Sequence, residues 1–384
     1  MSVLGYSEQE LLSLGGYHTA VEIAQQPNVW KKVWETVFER KNDIKFFLNE
    51  AVNKAHSIIL TGAGTSAFIG LSLKGVFGNS TGLITESIST TDLVSHPTHY
   101  LLKNHPILLI SFARSGDSPE SKAVLKLADK YSQECYHLII TCNPNGELAK
   151  GTTKNGKFVF LLPEEANDQS LAMTSSYSGM LLAGMLIAKI NEIESLKPQV
   201  DLLVTYGRNL LDQSDRIKQL AGLNFKRAVF LGSGPQYGTA KESHLKLQEL
   251  TDGRVICKHD SYLGFRHGPK AVIDNSTLVV YLLSNEPYVQ KYEKDLVSSM
   301  HNDKRAMCEV AIMEREIEGI NIGESFVMNT GGGKLDEEML PVCAIIPAQL
   351  FGFHKSVALG LLPDKPSASG AISRVVEGVK IYDL

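Results

Sequence analysis

Cysteine is scarce in this 384-residue chain, with five residues at wide spacings (Cys135, Cys142, Cys257, Cys308 and Cys343) and no Cys-x-x-Cys. That argues against a zinc ribbon and a thioredoxin-type redox pair. Free thiols in apolar runs behave as small buried hydrophobes, so no disulfide framework is expected and the setting reads as a reducing cytoplasm. Charge of one sign is missing too. Thirty-eight basic and 42 acidic residues give a net charge of −4 with no block of like charge, so neither nucleic acid nor an anionic membrane surface is an expected partner. The longest apolar run, Gly179 to Ala188, stops at Lys189 after ten residues, about half of what a membrane span needs. The opening MSVLGYSEQE has no basic segment leading into an apolar one, so no secretory signal is expected. No metal site is expected either: His96 and His99 flank a proline in a polar loop.

What is present is ordinary globular composition, 43% apolar and 21% charged, in a length that suits two or three domains of about 150 residues each. The chain repeats itself. Ser57–Gly64 (SIILTGAG) matches Arg227–Gly234 (RAVFLGSG), an apolar run closing on Gly-x-Gly. Gly62 and Gly232 are 170 residues apart, and so are the runs starting at Ile107 and Thr277. Looser pairs set Cys135–Thr141 beside Cys308–Met313, and Lys157–Pro163 beside Glu324–Thr330. Each half then ends in an apolar helical segment, Met173–Ile190 and Pro341–Leu361. Short continuous β-branched runs suit strands buried on both faces of a parallel sheet. The expected fold is α/β: two tandem doubly wound, flavodoxin-like domains with parallel sheets, plus an N-terminal helical cap. The expected boundaries are 1–50 for a helical extension capping the first domain, 51–205 for the first domain and 206–384 for the second.

Three segments can carry chemistry. In Thr61-Gly62-Ala63-Gly64-Thr65-Ser66 the glycines let backbone approach a ligand, and the helix that follows offers N–H groups to an anion. Gly64, Thr65 and Ser66 are the candidate contacts. A plain tight turn with a hydroxyl cap fits the same spacing. A nicotinamide-binding fold is a rival, since Glu86 lies 22 residues after Gly64, but the third glycine of Gly-x-Gly-x-x-Gly is Ala67. In Arg114-Ser115-Gly116-Asp117-Ser118-Pro119 the pair Ser118-Pro119 is a helix start, and small hydroxyl residues at a helix N-terminus suit a phosphate dianion. No Gly-x-x-x-x-Gly-Lys-Ser/Thr occurs, which points from nucleotides toward a small phosphorylated metabolite. The third segment places Glu242, Lys246 and Glu249 along one side of a helix, either as a solvated ion-paired face or as a proton-transfer row. Eighteen residues after Glu249 comes His267, within Gly-Phe-Arg-His-Gly-Pro, a loop setting suited to proton transfer near neutral pH.

Together these residues resemble the sugar isomerase (SIS) superfamily, which handles phosphosugars. The Gly-x-Gly-Thr-Ser turn, the Ser-Gly-x-Ser loop and the Lys-Leu-Gln-Glu helix leading to Arg-His-Gly-Pro are similar to the isomerase half of glucosamine-6-phosphate synthase. Thr19–Val33, TGAGTSAFIG from Thr61, SPES from Ser118, MTSS from Met173, GFRHGP from Gly264 and PSASG from Pro366 look more like the AgaS-type galactosamine-6-phosphate deaminase/isomerases.

The resemblance implies that Ser115 and Ser118 hold the sugar phosphate, with Thr65 and Ser66 lining that pocket. It makes Glu249 the base and acid for a C2-to-C1 proton shift. His267 would open the ring, in relatives from the neighbouring subunit, and Lys246 matches a lysine of the synthase helix. Where the synthase has a further phosphate-binding serine this chain has Ala113, for which Arg114 compensates. The family's C-terminal lysine is replaced by Arg374.

The implied substrate is a small phosphorylated amino sugar, D-galactosamine 6-phosphate, converted to D-tagatose 6-phosphate and ammonia without metal or redox cofactor in a homo-oligomer. Two alternatives stand beside it: a tagatose-6-phosphate aldose–ketose isomerase, and a phosphosugar-sensing SIS regulator.

Overall fold

The computed structural model describes residues 2–368, 370–376 and 378–382. Apart from a short hairpin pairing Ser2–Val3 with Tyr6–Ser7, the strands form two five-stranded parallel sheets. The first contains β1 (Ser57–Thr61), β2 (Ile84–Ser87), β3 (Ile107–Ala113), β4 (Cys135–Thr141) and β5 (Lys157–Leu161), in the order β2-β1-β3-β4-β5. The second contains β6 (Arg227–Leu231), β7 (Ile256–Asp260), β8 (Thr277–Leu282), β9 (Cys308–Met313) and β10 (Glu324–Val327), in the order β7-β6-β8-β9-β10. Both follow the order of a flavodoxin-like doubly wound sheet. The register repeats as well: Ser57 pairs with Ile107 in the first sheet, and Arg227 with Thr277 in the second. The expected α/β class with parallel sheets is what the structure has.

The central strands are what the sequence pattern demands. Every residue of β3, β4 and β8 is buried, and each buried Ile, Leu or Val side chain contributes roughly 1.5–3 kcal/mol. The edge strands β2 and β7 behave differently, with exposed or half-exposed residues along their length, so no continuous apolar run announces them. Glu86, the position weighed for a ribose contact, is an ordinary residue of β2 paired with Ile59.

The main helices are α1 (Thr65–Thr81), α2 (Pro119–Tyr131), α3 (Ser175–Ala188), α4 (Gln236–Leu250), α5 (Pro287–Asp303) and α6 (Ile346–Ala358). Helix α3 is apolar on every side and buried from Ser175 to Ile187. Its N-terminus rests on the Asp168 carboxylate, which accepts from the N–H groups of Ser175 (3.0 Å) and Ser176 (2.9 Å). The segment Glu337–Ala358 is 22 residues long and apolar enough to span a membrane by composition, but 94% of its most apolar window is buried in the protein. It is a core segment.

The chain divides into two compact units. One holds the first sheet and comprises Asn28–Asp168, Ser175–Val200 and the residues from Ile372 onward. The other holds the second sheet and comprises the residues up to Pro27, Gln169–Thr174 and Asp201–Ala371. The N-terminal segment read from sequence as one cap is thus shared between them. The reason is a set of distant polar contacts. Asp364 accepts from the backbone N–H groups of His18 (3.2 Å) and Thr19 (2.7 Å) at the start of helix Tyr17–Ala24, where the helix dipole favours an anion. Gln26 donates to Gln349 at 2.7 Å.

Candidate active site

At the carboxyl end of β1 the chain turns tightly into α1. A Cβ on Gly62 would lie 2.6 Å from the Ser66 carbonyl carbon, and Gly64 has φ +54°. The turn after β6 repeats it: a Cβ on Gly232 would lie 2.5 Å from the Gln236 carbonyl oxygen, and Gly234 has φ +55°. Only glycine fits these places. In the first unit the turn delivers Thr65 and Ser66 to the helix start, both about 5% exposed. Nearby, Thr61 and Ser111 are register partners at the ends of β1 and β3. Their buried hydroxyls have no hydrogen-bond partner among the described residues.

The loop after β3 is held from below. Asp117 accepts from the Glu147 N–H (3.0 Å) and the Asn143 side-chain amide (3.2 Å), while that amide also donates to the Ser115 carbonyl (2.9 Å). Ser118 caps α2, accepting from the Ser121 N–H at 3.3 Å, with Pro119 next in line. The Ser115 hydroxyl accepts from the Asp117 N–H (3.3 Å), and its own proton has no acceptor among the described residues. Arg114 is buried and donates to the Arg374 carbonyl at 2.7 Å. The Arg374 guanidinium in turn donates to the Asp168 carbonyl (3.1 Å from Nε) and to Asn167 Oδ1 (3.3 Å). Arg114 and Arg374 therefore meet, and Arg374 is bound to this loop set.

In the second unit α4 carries the row Glu242, Lys246, Glu249. It is not a solvated face. Glu242 and Lys246 are 0% and 1% exposed at the side chain, and Glu249 is 23% exposed. The Lys246 ammonium lies 3.4 Å from Glu242 and 2.6 Å from Glu249. A buried ammonium is tolerated only with close opposite charge and hydrogen bonds, and two carboxylates supply them. The arrangement fixes Glu249 in place and leaves it the one of the two carboxylates that a ligand can reach. Gln236, at the first position of α4, is 1% exposed with neither side-chain polar atom bonded. Neither that residue nor the burial of Glu242 was legible from helical spacing, which shows that a row exists but not whether it faces water.

His267 sits on the loop between helix Tyr262–Phe265 and the short 3-10 turn Pro269–Val272. Phe265 (0% exposed) and Tyr262 (1%) anchor that loop in the core, while Arg266 and His267 are exposed. The His267 ring makes no hydrogen bond or ion pair among the described residues. Burial lowers the pKa of His244, on α4, and takes that of His259, on β7, down to about 3, so this tilted ring pair, with centroids 4.6 Å apart, is neutral at physiological pH. A different cluster, Asp129, Cys135 and His137, combines metal-ligand types. Its histidine Nε2 bonds Asp129 (2.9 Å) while Nδ1 faces the thiol (4.0 Å). The two ring nitrogens serve different partners, and burial raises the thiol's pKa.

Two parallel α/β sheets, a hydroxyl-lined loop at one helix start and a lysine-held carboxylate on another helix describe a class of acid–base enzymes acting on small anionic substrates. The SIS domain family matches residues 51–190. A D-galactosamine-6-phosphate deaminase, AgaS, of Shewanella sp. (strain ANA-3) is 38% identical over 380 residues, covering 98% of this chain and 94% of the relative. Among solved structures, a Clostridium novyi protein provisionally named tagatose-6-phosphate ketose/aldose isomerase superposes with TM-score 0.97 at 40% identity, covering all of both chains. The Escherichia coli tagatose-6-phosphate ketose/aldose isomerase gives 0.87 at 36%, covering 96% of this chain and 97% of the other. The chain belongs to the AgaS branch of the SIS-domain proteins.

Proposed function

We propose that the chain is an amino-sugar-phosphate deaminase/isomerase that converts D-galactosamine 6-phosphate and water to D-tagatose 6-phosphate and ammonia. The observation that carries this is Glu249, accessible and held by buried Lys246, in a chain matched nearly end to end by a deaminase. Once the sugar ring is open, C1 is an aldehyde and C2 bears the amine. Glu249 takes the C2 proton, giving an enolamine, and returns it to C1. The C2 carbon is then an imine, to which water adds before ammonia leaves. Neither step needs a metal or redox cofactor. In this reading His267 assists ring opening, Ser115 and Ser118 hold the phosphate with Thr65 and Ser66 beside it, and Arg114 with Arg374 supplies positive charge behind the loop.

The second sheet lies outside the matched residues. Its strand order, register and glycine turn support reading it as a second SIS domain in tandem with the first, the helices before Ser57 forming an N-terminal cap. On this reading the protein works in the cytoplasm as a homodimer or larger homo-oligomer, with His267, exposed and unengaged, donated to a neighbouring subunit.

The names of the solved relatives favour a second reading, aldose–ketose isomerisation without deamination. One panel separates the two. Galactosamine 6-phosphate, glucosamine 6-phosphate and N-acetylgalactosamine 6-phosphate are supplied in turn and ammonia is measured. Ammonia from galactosamine 6-phosphate is the expected result. Interconversion of tagatose 6-phosphate with its aldose, supplied as a fourth substrate, with no ammonia from any of the three amino sugars selects the isomerase.

A further inference from the structure

The second sheet has its own cavity where the first has its serine loop. It lies at the carboxyl ends of β8 and β9, the third and fourth strands of that copy, and encloses about 350 Å³. The loop leaving β8, Leu283–Glu286, runs into α5 with Pro287 as its first helical residue, just as the loop leaving β3 runs into Pro119 of α2. The backbone device of the first copy is therefore retained in the second.

The side chains are different. No serine caps α5; its N-cap is Glu286, whose carboxylate is paired with Lys334 at 2.6 Å. Inside the cavity Glu314 is fully engaged, accepting from Tyr206 (2.7 Å), Asn285 (2.7 Å) and the Leu335 N–H (2.7 Å). Arg315 donates to the carbonyls of Gly332 and Gly333. That leaves both signs of charge unengaged on the wall. Lys294, half-buried on α5, has no hydrogen bond or ion pair among the described residues, and neither have the exposed Glu316 and Glu318. Asn285 is 9% exposed, and its side-chain oxygen has no partner.

A wall with the free ammonium of Lys294, an Arg315 guanidinium bonded to neutral carbonyls and two free carboxylates suits neither a simple anion nor a simple cation. It suits a small polar molecule carrying both charges, and the volume is at the small end of the range of roughly 300–1,000 Å³ for small-molecule pockets. We infer that this cavity is a second ligand site for a zwitterionic amino-sugar phosphate, its phosphate toward Lys294 and its ammonium toward Glu316 and Glu318. The choice of amino sugar rests on the function proposed above; the mixed-charge cavity does not.

Equilibrium dialysis of the unsubstituted protein with 2-amino-2-deoxygalactitol 6-phosphate tests it, because this reduced sugar has no aldehyde and is not turned over. Two molecules bound per chain are expected, against one of galactitol 6-phosphate, which lacks the ammonium. Lys294→Glu or Glu316→Lys should each remove one amino-alditol site, weakening it at least tenfold, while Ser118→Ala weakens only the other. One molecule per chain, lost in Ser118→Ala and kept in Lys294→Glu, overturns the second site and leaves the functional reading standing. One molecule lost only in Lys294→Glu and Glu316→Lys supports the cavity and removes the phosphate role of the first loop. No binding at all overturns both.

Discussion

Helices α1 and α4 occupy the same place in the two sheets, each following a first strand and a glycine turn of matching conformation. They do unlike things. Along α1 the only charged residue is Lys74, and its start presents hydroxyls. Along α4 a buried lysine sits between two carboxylates. The loops after the third strands share a proline at the helix start but diverge just before it: a capping serine in the first copy, a glutamate paired with lysine in the second. The shared backbone sets where a group will stand, and single substitutions on it set what that group does. On the proposed reading, duplication let one copy specialise in holding an anion and the other in moving protons.

The sharpest way to break that division is Glu249→Gln, which keeps the shape and removes the proton acceptor. Turnover, followed by ammonia release, should fall by about 10²–10⁴, with KM little changed. Full activity in this variant would remove α4 from the chemistry and leave the two helices equivalent. A second, smaller effect separates binding from stability within the first loop. Ser115→Ala should raise KM about tenfold or more, for loss of a charge-assisted hydrogen bond of roughly 1.5–3 kcal/mol, with a smaller loss of stability than at Ser118, since its one structural bond is the 3.3 Å contact from the Asp117 N–H. Ser118→Ala should raise KM and also cost about 1 kcal/mol of stability, because the same hydroxyl caps α2. Unchanged KM in both variants would place the phosphate elsewhere.

The last expected effect is on pH dependence and belongs to the second loop. There Glu293 accepts from the Ser284 N–H at 3.0 Å, and burial, with some help from Glu337, pushes its pKa up to about 8. An unfolded glutamate titrates near 4.3. Between that pH and about 8 the folded chain keeps a proton that the unfolded chain has lost, so stability declines across this window as pH rises. Glu293→Gln should flatten the fall in melting temperature between pH 5 and 8.5. Variants of Ser115 and Ser118 in the first loop serve as the comparison and should leave the slope alone. A slope unchanged by Glu293→Gln would assign the dependence to another group.

These contrasts also explain what could be read in advance. Four strand pairs were legible because β1, β3, β4, β5 and their counterparts are mostly apolar runs at a nearly constant offset. One edge pair, Ile84–Ser87 and Ile256–Asp260, was not: these strands carry exposed or half-exposed residues along their length and show no continuous apolar run. The Lys246–Glu249 row could be drawn on a helix, yet its burial depends on what packs over it, including Gly352, where a Cβ would lie 3.2 Å from the Lys246 carbonyl. The division of the N-terminal helices had no local signal, since Asp364 is 345 residues from Thr19 and Gln349 is 323 from Gln26.

That last arrangement has a temporal side. A ribosome making this chain releases helix Tyr17–Ala24 long before Asp364, the carboxylate that closes its first turn. At about 5–20 residues per second the helix waits roughly 20–70 s for that partner. Meanwhile every residue of the first sheet has emerged and can pair. The unit bearing Glu249 closes last in synthesis, around a segment that was made first.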